Sequence, residues 1–221
     1  MVLHLQSYQL DWLLLLNMEK KDTYRTINTP AEGELFKDRG SKFYGYTFPI
    51  KHEDDVKPLI DILRKKHNSA RHFCYAYQIG TDTIKYRAND DGEPSNSAGP
   101  PIYGQIQSYN VTNILIVVVR YFGGTKLGVG GLINANRTGA QLALDASNIV
   151  EKTINIDYVI TFDYKNMNKV MRIIKEKNLT ITNQVLELDC NVFISVRKKE
   201  ATQIFNAFNI IYEVNIKEIE A

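Results

Sequence analysis

The stretch V-T-N-I-L-I-V-V-V-R-Y-F-G-G-T-K-L-G-V-G-G-L, residues 111–132, joins a long apolar run to a turn rich in glycine. Residues 114–119 are all branched or leucine-type, without the polar alternation of a strand that has one wet face. The run therefore predicts a strand buried on both faces. The five glycines that follow within nine residues indicate positive φ angles or a close approach that a Cβ would prevent. Apolar spacing over 132–146 predicts a helix directly after the turn.

The glycine turn is a candidate anion site, because the amides at a helix N-terminus point back into it. Arg120 and Lys126 add positive charge on either side. The turn is not a P-loop, since Gly-Lys-Ser/Thr occurs nowhere in the chain. It also departs from the dinucleotide fingerprint: Gly128 and Gly130 have the first spacing, but Ile133 stands where the third glycine belongs. Tight packing alone is the structural alternative for this turn.

Composition describes a globular chain long enough for two domains, with 221 residues, 44% of them hydrophobic, and a net charge of +2. Such a small charge says little about partners. Cys74 and Cys190 are far apart and no secretory signal precedes them, so we expect a reducing, cytoplasmic location. The apolar segment at 12–16 is too short to span a membrane. We expect residues 1–17 to be a dispensable extension or a mis-assigned start.

The first domain shows a regular alternation of strand and helix signals. The aromatic-rich segment 42–50 predicts a strand, and apolar residues spaced at i, i+3, i+4 and i+7 from Val56 to Leu63 predict a helix. Residues 72–79 and 84–87 predict a hairpin around a turn at 80–83. A short segment at 102–109 then leads to the apolar strand.

Two groups of residues are candidates for chemistry. His72 and Cys74 are expected to share one strand face, where they could begin a metal or thiol site, although no second cysteine pair supports one. Asp90, Asp91 and Glu93 place three carboxylates within four residues of a Gly/Pro-rich loop, enough to hold a cation or supply a general base. The alternative for the acids is a rigid turn whose aspartates bond local amides.

From residue 154 onward the pattern changes to the order β-α-β-β-α-β. Strands are expected at 154–164, 179–188, 190–196 and 211–219, and helices at 166–177 and 199–208. Each helix carries one apolar stripe, so a small sandwich that buries both stripes on one sheet face is expected. Lysines and arginines on the outer side of the first of these helices are interpreted as a solvated face.

Five motifs of the first domain resemble the IMPACT family, in particular its two-domain bacterial members of the YigZ type. They are R-G-S-K-F at 39–43, H-F-C-Y-A at 72–76, D-D-G-E-P-S at 90–95, A-G-P-P-I at 98–102, and V-V-V-R-Y-F-G-G-T-K-L-G-V-G-G-L at 117–132. The chain departs from the family pattern at Asn96 and Ser97, where glycine and threonine are usual, and at Pro100, where a basic residue is common.

The resemblance implies an N-terminal domain like a ribosomal small-subunit protein and domain four of elongation factor G, a β-α sandwich with helices on one face of a sheet. It implies a ferredoxin-like C-terminal domain, similar to the last domain of elongation factor G. It also implies a role linked to translation, since eukaryotic members are translational regulators that act through protein partners.

We therefore predict an α+β fold with an N-terminal domain at 18–148 and a C-terminal domain at 154–221. The expected function is that of a non-catalytic cytoplasmic protein that contacts RNA, the ribosome or a translation-related protein, without cofactor, metal or membrane. The predicted binding face comprises Arg39, Lys42, Arg120, Gly123, Gly124, Lys126, Gly128, Gly130 and Gly131. The alternative is a small-molecule hydrolase whose pocket joins His72, Asp90, Asp91 and Glu93. A concave pocket where these acids meet would favour the hydrolase, and an open basic surface would favour binding.

Overall fold

The computed structural model describes residues 22–187 and 189–219. The chain forms two compact units, one of residues 24–152 and the other of residues 22–23 together with the described part of 153–219. The extension expected at 1–17 lies outside the described residues. Within the described ranges, no helix is both long and apolar enough to cross a membrane.

The first unit is built on an antiparallel sheet. In chain order, the strands up to Thr153 are β1 (Thr23–Ile27), β2 (Ala31–Glu32), β3 (Phe36–Asp38), β4 (Ser41–Pro49), β5 (His72–Ile79), β6 (Lys85–Asn89), β7 (Ile114–Tyr121) and β8 (Ile149–Thr153). The sheet has the order β2-β4-β7-β5-β6, with β3 paired to β4, while β1 pairs with β8. Strand β4 and the β5–β6 hairpin are confirmed where the sequence predicted them.

Strand β7 lies at the centre of this sheet and is buried on both faces, as its unbroken apolar run predicted. Ile114, Ile116 and Val118 belong to one hydrophobic cluster, and the alternate residues of the strand belong to a second cluster on the opposite face. Residues 114–119 are all fully buried. Both faces of β7 therefore pack against hydrophobic cores, and this explains why polar residues do not alternate with apolar ones along residues 114–119.

Helices cover both faces of the sheet, where the family resemblance led us to expect helices on one face. They are α1 (Val56–Lys66), α2 (Gly99–Ser108) and α3 (Gly128–Asp145). Helices α2 and α3 supply Ile102, Ile106, Leu132 and other residues to the first cluster. The apolar stripe of helix α1 packs into the second cluster. An amphipathic helix buries such a stripe against a sheet face, which explains why α1 lies on the face opposite α2 and α3.

Two helix boundaries differ from the sequence prediction. Helix α2 covers most of the short segment at 102–109, for which neither helix nor strand was predicted from the sequence. Proline occupies its first turn, where a missing amide hydrogen costs nothing. Helix α3 begins at Gly128 instead of Leu132, so Gly130 and Gly131 lie inside its first turn. The sequence prediction began the helix later because glycine has a low helix propensity.

The second unit has the predicted β-α-β-β-α-β order. Its elements are β9 (Asn155–Asp163), α4 (Met167–Glu176), β10 (Thr180–Leu186), β11 (Asp189–Arg197), α5 (Ala201–Asn209) and β12 (Val214–Glu218). The four strands form an antiparallel sheet in the order β10-β11-β9-β12. Ile160, Ile194 and Phe208 are fully buried in a core that both helices share, as the two apolar stripes predicted.

A chain of hydrogen bonds crosses the face of the first sheet that α1 covers. The Tyr46 hydroxyl donates to Glu32 Oε1 over 2.8 Å, and the Tyr46 hydroxyl oxygen lies 2.7 Å from His67 Nε2. His67 Nδ1 lies 2.9 Å from the Tyr121 hydroxyl, which can donate to it. These partners suit a neutral imidazole with its proton on Nε2. Burial of the ring, together with the neighbouring Lys66 charge, lowers the pKa of His67.

We expect the free energy of unfolding to fall as the pH drops below about 6.5, the ordinary pKa of histidine. The unfolded chain takes up a proton on His67 that the folded chain resists, so acid favours the unfolded state. The substitution His67→Gln removes this titration and should make the decline between about pH 7 and pH 5 shallower in urea unfolding. His52→Gln, at an exposed histidine, is the matched control. An equally steep decline in His67→Gln would contradict this assignment.

Candidate functional site

The loop between β6 and α2 is organised by the carboxylate of Asp90. Its Oδ1 accepts hydrogen bonds from the amides of Ala98 and Gly99, each over 2.8 Å, and its Oδ2 accepts one from the amide of Asn96 over 2.8 Å. These amides belong to the start of α2, which otherwise has no side-chain cap. Asp90 therefore holds the loop against the helix, in agreement with the rigid-turn alternative for this motif.

Asp91 ties the same loop to the sheet. Its Oδ2 accepts from the amide of Phe73 over 2.7 Å, and Arg64 Nη2 lies 3.0 Å from both carboxylate oxygens. His72 Nδ1 donates to the Asp91 carbonyl over 2.9 Å, and the Cys74 thiol donates to the Asp90 carbonyl over 3.0 Å. His72 and Cys74 share a strand face, as predicted, and use it to fasten the loop.

The cysteine in this group is held in its protonated form. Burial, reinforced by the nearby charge of Glu93, raises the pKa of the Cys74 thiol far above its ordinary range. A thiol is a poor nucleophile and metal ligand compared with a thiolate. Across residues 22–187 and 189–219, no three His, Cys, Asp or Glu side chains come together in a group that could hold a metal ion.

Glu93 and Arg120 form a buried ion pair. Arg120 Nη1 lies 2.5 Å from Glu93 Oε1, and the side chains of Arg120 and Glu93 are 7% and 2% exposed. Arg120 Nη2 reaches Ser41 Oγ at 3.5 Å, and its Nε has no hydrogen-bond partner among the described residues. The guanidinium carbon lies 5.6 Å from the ring centre of Phe43 and 5.7 Å from that of Phe122.

Arg120 is therefore not part of an open basic face, which is where the sequence placed it. The strand keeps its period of two, so Arg120 follows Ile116 and Val118 onto an inward face. That period was a usable signal for the burial of Arg120. The pairing of Arg120 with Glu93 could not be predicted from strand periodicity, because Glu93 lies in the loop between β6 and α2.

A pocket of about 320 Å³ lies where β7 leads into α3. It is lined by Glu93, Pro94, Arg120, Phe122, Lys126, Leu127, Gly128, Val129 and Leu132. We call it the α3 pocket. Of the residues proposed for a hydrolase, only Glu93 lines it, and its carboxylate is paired with Arg120. The carboxylate of Asp90 bonds amides at the end of the loop and the start of α2, and that of Asp91 bonds the Phe73 amide and Arg64. Of the four candidate residues, His72 and Glu93 approach each other, with His72 Nε2 3.9 Å from Glu93 Oε1.

Two apolar walls of the α3 pocket were missed by sequence reasoning. Phe122 and Val129 line it and are both exposed. Their place beside the pocket depends on where α3 begins, and the glycines of the turn concealed that start. An aromatic residue next to the glycine turn was the one signal in the sequence that could have pointed to this wall.

The glycines of the turn meet different demands. A Cβ on Gly123 would lie 1.9 Å from the carbonyl carbon of Gly40, so this position needs glycine for a close approach of two backbones. Gly128 has φ +74°, a conformation that favours glycine at the helix start. Gly130 has neither constraint: it is helical, and a Cβ there would meet no atom within 4 Å.

The approach of Gly40 to Gly123 brings the R-G-S-K turn beside the glycine turn. The Ser41 hydroxyl accepts a hydrogen bond from the amide of Gly123 over 3.2 Å, which ties the turns together. Arg39, Lys42 and Lys126 are all exposed. We call this region, residues 39–42 and 123–131, the glycine edge. It contains every residue of the predicted binding face except Arg120, which lies behind it.

Fold and site together define a two-unit α+β protein with a small pocket at a helix start in its N-terminal unit. The family described as Impact N-terminal domain matches residues 39–144, which include the glycine edge and the α3 pocket.

The IMPACT family member YvyE of Bacillus subtilis (strain 168) is 31% identical over 72% of this chain and 73% of its own length. YigZ of Escherichia coli (strain K12) is 32% identical over 67% of this chain and 73% of its own. The chain therefore belongs to the IMPACT family, as its motifs predicted. A solved structure of a hypothetical protein matches 90% of this chain and 98% of its own with a TM-score of 0.66 at 23% identity, and so shows the same fold.

We expect Arg120→Ala to lower the free energy of unfolding by about 3–5 kcal/mol, because it removes the partner at 2.5 Å from the buried Glu93 and leaves only the more distant His72 Nε2, at 3.9 Å. Lys126→Ala, at an exposed position, should change it by no more than about 0.5 kcal/mol. Denaturant unfolding measures both. The double variant Glu93→Leu/Arg120→Met removes both charges and should recover most of the loss. A double variant as unstable as Arg120→Ala would contradict the unpaired charge of Glu93 as the cause of the loss.

Proposed function

We propose that this chain is a translation-associated regulatory protein of the cytoplasm that binds RNA through the glycine edge. The observation that carries the proposal is the close approach of Gly40 and Gly123, which gathers exposed cations from two distant parts of the sequence. Membership of the IMPACT family supports the link to translation, since the family resemblance implies that role.

The exposed cations suit a phosphate backbone. Arg39, Lys42 and Lys126 form no ion pair among the residues that the structure describes, so their charges are available to a ligand. Phosphates release condensed counterions when such cations neutralise them, and this release drives binding without regard to sequence. The ring of Phe122, which is 52% exposed, adds a surface on which an unpaired base can stack.

The buried Arg120 contributes little to this attraction at long range. Its charge is compensated by Glu93 at 2.5 Å, so the positive charge of the glycine edge itself comes from Arg39, Lys42 and Lys126. The net charge of +2 means that this local group of cations is not part of a large basic excess over the whole chain. This arrangement fits a protein that touches a short stretch of RNA.

We expect the triple variant Arg39→Ala/Lys42→Ala/Lys126→Ala to bind single-stranded RNA more weakly than the wild type. The slope of log affinity against log salt should become shallower by about 0.7 for each phosphate that the variant no longer neutralises. Fluorescence anisotropy with a labelled RNA, measured over a salt series, gives both quantities.

The matched control removes three exposed cations elsewhere in the same unit, Lys65, Lys85 and Arg87. This control should keep the wild-type salt slope. Equal losses of affinity in the two triple variants would indicate a general charge effect and contradict the glycine edge. Ribosome or protein capture that survives nuclease treatment and the triple substitution would point to a protein partner instead of RNA.

A further inference from the structure

We infer that the α3 pocket binds one nucleotide through its phosphate monoester, as a free mononucleotide or as the phosphorylated end of an RNA. The inference rests on the proposed function, because it names what the glycine edge would hold most selectively. It concerns the pocket walls and the first turn of α3, whereas RNA attraction in general depends on the exposed cations.

The start of α3 provides the donors for a phosphate. The helix runs for 18 residues, and its N-cap position is Leu127, whose side chain makes no capping hydrogen bond. The first amides of a helix have no partners within the helix, and the helix dipole favours a negative charge there. Lys126 stands exposed immediately before this turn and lines the same pocket.

Arg120 is a second, independent indication of an anion site. The residue is only 6% exposed and lines the pocket, yet its Nε has no hydrogen-bond partner among the described residues. Its longest hydrogen bond, 3.5 Å to Ser41, is at the limit for such an interaction. A buried guanidinium normally uses more of its five N–H groups than this. The charge of Arg120 is already balanced by Glu93, which lines the same pocket, so a phosphate there would gain from Arg120 only the hydrogen bond of the unpaired Nε–H.

Gly130 is the third indication. Nothing in the described fold requires glycine there, since the residue is helical and a Cβ would meet no atom within 4 Å. Glycine destabilises a helix relative to alanine, so the fold alone would be better served by alanine. A bare backbone at this point of the first turn leaves room for a group that comes close to the amides, as a phosphate does.

The walls of the pocket favour a nucleoside as the rest of the ligand. Phe122 and Val129 both line the pocket and are 52% and 54% exposed, so apolar surface stands open beside the cationic side chains. An aromatic ring offers a stacking surface to any base. A volume of about 320 Å³ is at the small end of ligand pockets and suits one nucleotide unit.

A terminal phosphate fits this site better than a phosphate inside a chain. A monoester carries about two negative charges and three acceptor oxygens, which match a helix start flanked by Lys126 and Arg120. A phosphodiester carries one charge and continues in two directions. The wall of the pocket that Glu93 and Arg120 form is buried protein, which gives the second direction no exit on that side.

The test is calorimetric titration of the full chain with adenosine 5′-monophosphate, adenosine and inorganic phosphate. We expect the nucleotide to bind at least about tenfold more tightly than either part alone, because the phosphate and the base have separate contacts. Gly130→Ala should weaken nucleotide binding by about tenfold while the thermal unfolding midpoint stays unchanged or rises. Gly104→Ala is the matched control, since Gly104 lies in α2 and a Cβ there also meets no atom within 4 Å.

The two sources of the ligand are separated with a short single-stranded RNA that carries either a 5′-phosphate or a 5′-hydroxyl. Tighter binding of the phosphorylated RNA than of the mononucleotide identifies the RNA end, and equal binding identifies the free nucleotide. Equal affinity for adenosine and its monophosphate, or unchanged binding in Gly130→Ala, would overturn the inference. Tighter binding of a phosphoserine peptide than of the nucleotide would overturn the choice of a nucleoside.

Failure here is distinguishable from failure of the proposed function. If RNA with a 5′-hydroxyl binds with the expected salt dependence but shows no preference for a 5′-phosphate, and the mononucleotide does not bind, the glycine edge stands and the monoester site is refuted. If no RNA binds and the mononucleotide does, the pocket stands and RNA binding is refuted.

Discussion

The burial of β7 on both faces is the constraint on which the N-terminal unit depends. A strand that is enclosed by two cores can expose polar groups only where it emerges, and Arg120 lies just before that point, still only 6% exposed. An unpaired buried charge costs several kcal/mol, on the order of 3–5 when a partner is removed. The fold therefore requires Glu93 at this place, and with it the loop that carries Glu93.

The need to place Glu93 beside Arg120 explains why many hydrogen bonds hold the D-D-G-E-P-S loop in position. Asp90 accepts three amide hydrogen bonds, Asp91 bonds the β5 backbone, and His72 and Cys74 donate to the carbonyls of both. Side chains that resemble an acid and nucleophile cluster in the sequence are thus the supports of one buried ion pair. Positioning Glu93 within 2.5 Å of Arg120 needs a rigid loop, since a flexible one would leave the charge desolvated and unpaired.

Sequence reasoning recovered the elements whose signals are local. The apolar run of β7, the stripe of α1 and the β-α-β-β-α-β order of the second unit all follow from periodicity within a single segment. It missed α2, although prolines in the first turn were a usable sign, and it placed Arg120 outward because the positive charge outweighed the period of two. The sequence does not distinguish the glycines of the candidate site from one another. Glycine is needed at 123 for the close approach to Gly40 and at 128 for a positive φ angle, whereas Gly130 has neither constraint. The need for glycine at 123 becomes visible only in the structure, because the turns that contain Gly40 and Gly123 are far apart along the chain.

Arg120 is buried while Arg39, Lys42 and Lys126 are exposed, and in the proposed function these two kinds of charge would act at different ranges. In the RNA complex that we propose, the exposed cations Arg39, Lys42 and Lys126 would act through a screened field, and they would set the strength of attraction and its dependence on salt. Arg120 is neutralised by Glu93 and shielded from solvent, so any effect it has on a ligand operates only at contact. On this proposal, selectivity would arise in the α3 pocket, where salt screens least, and affinity for a polyanion would arise at its rim. The proposal is thus compatible with the small net charge of +2, because a local group of cations can attract an anionic ligand without a basic excess over the whole chain.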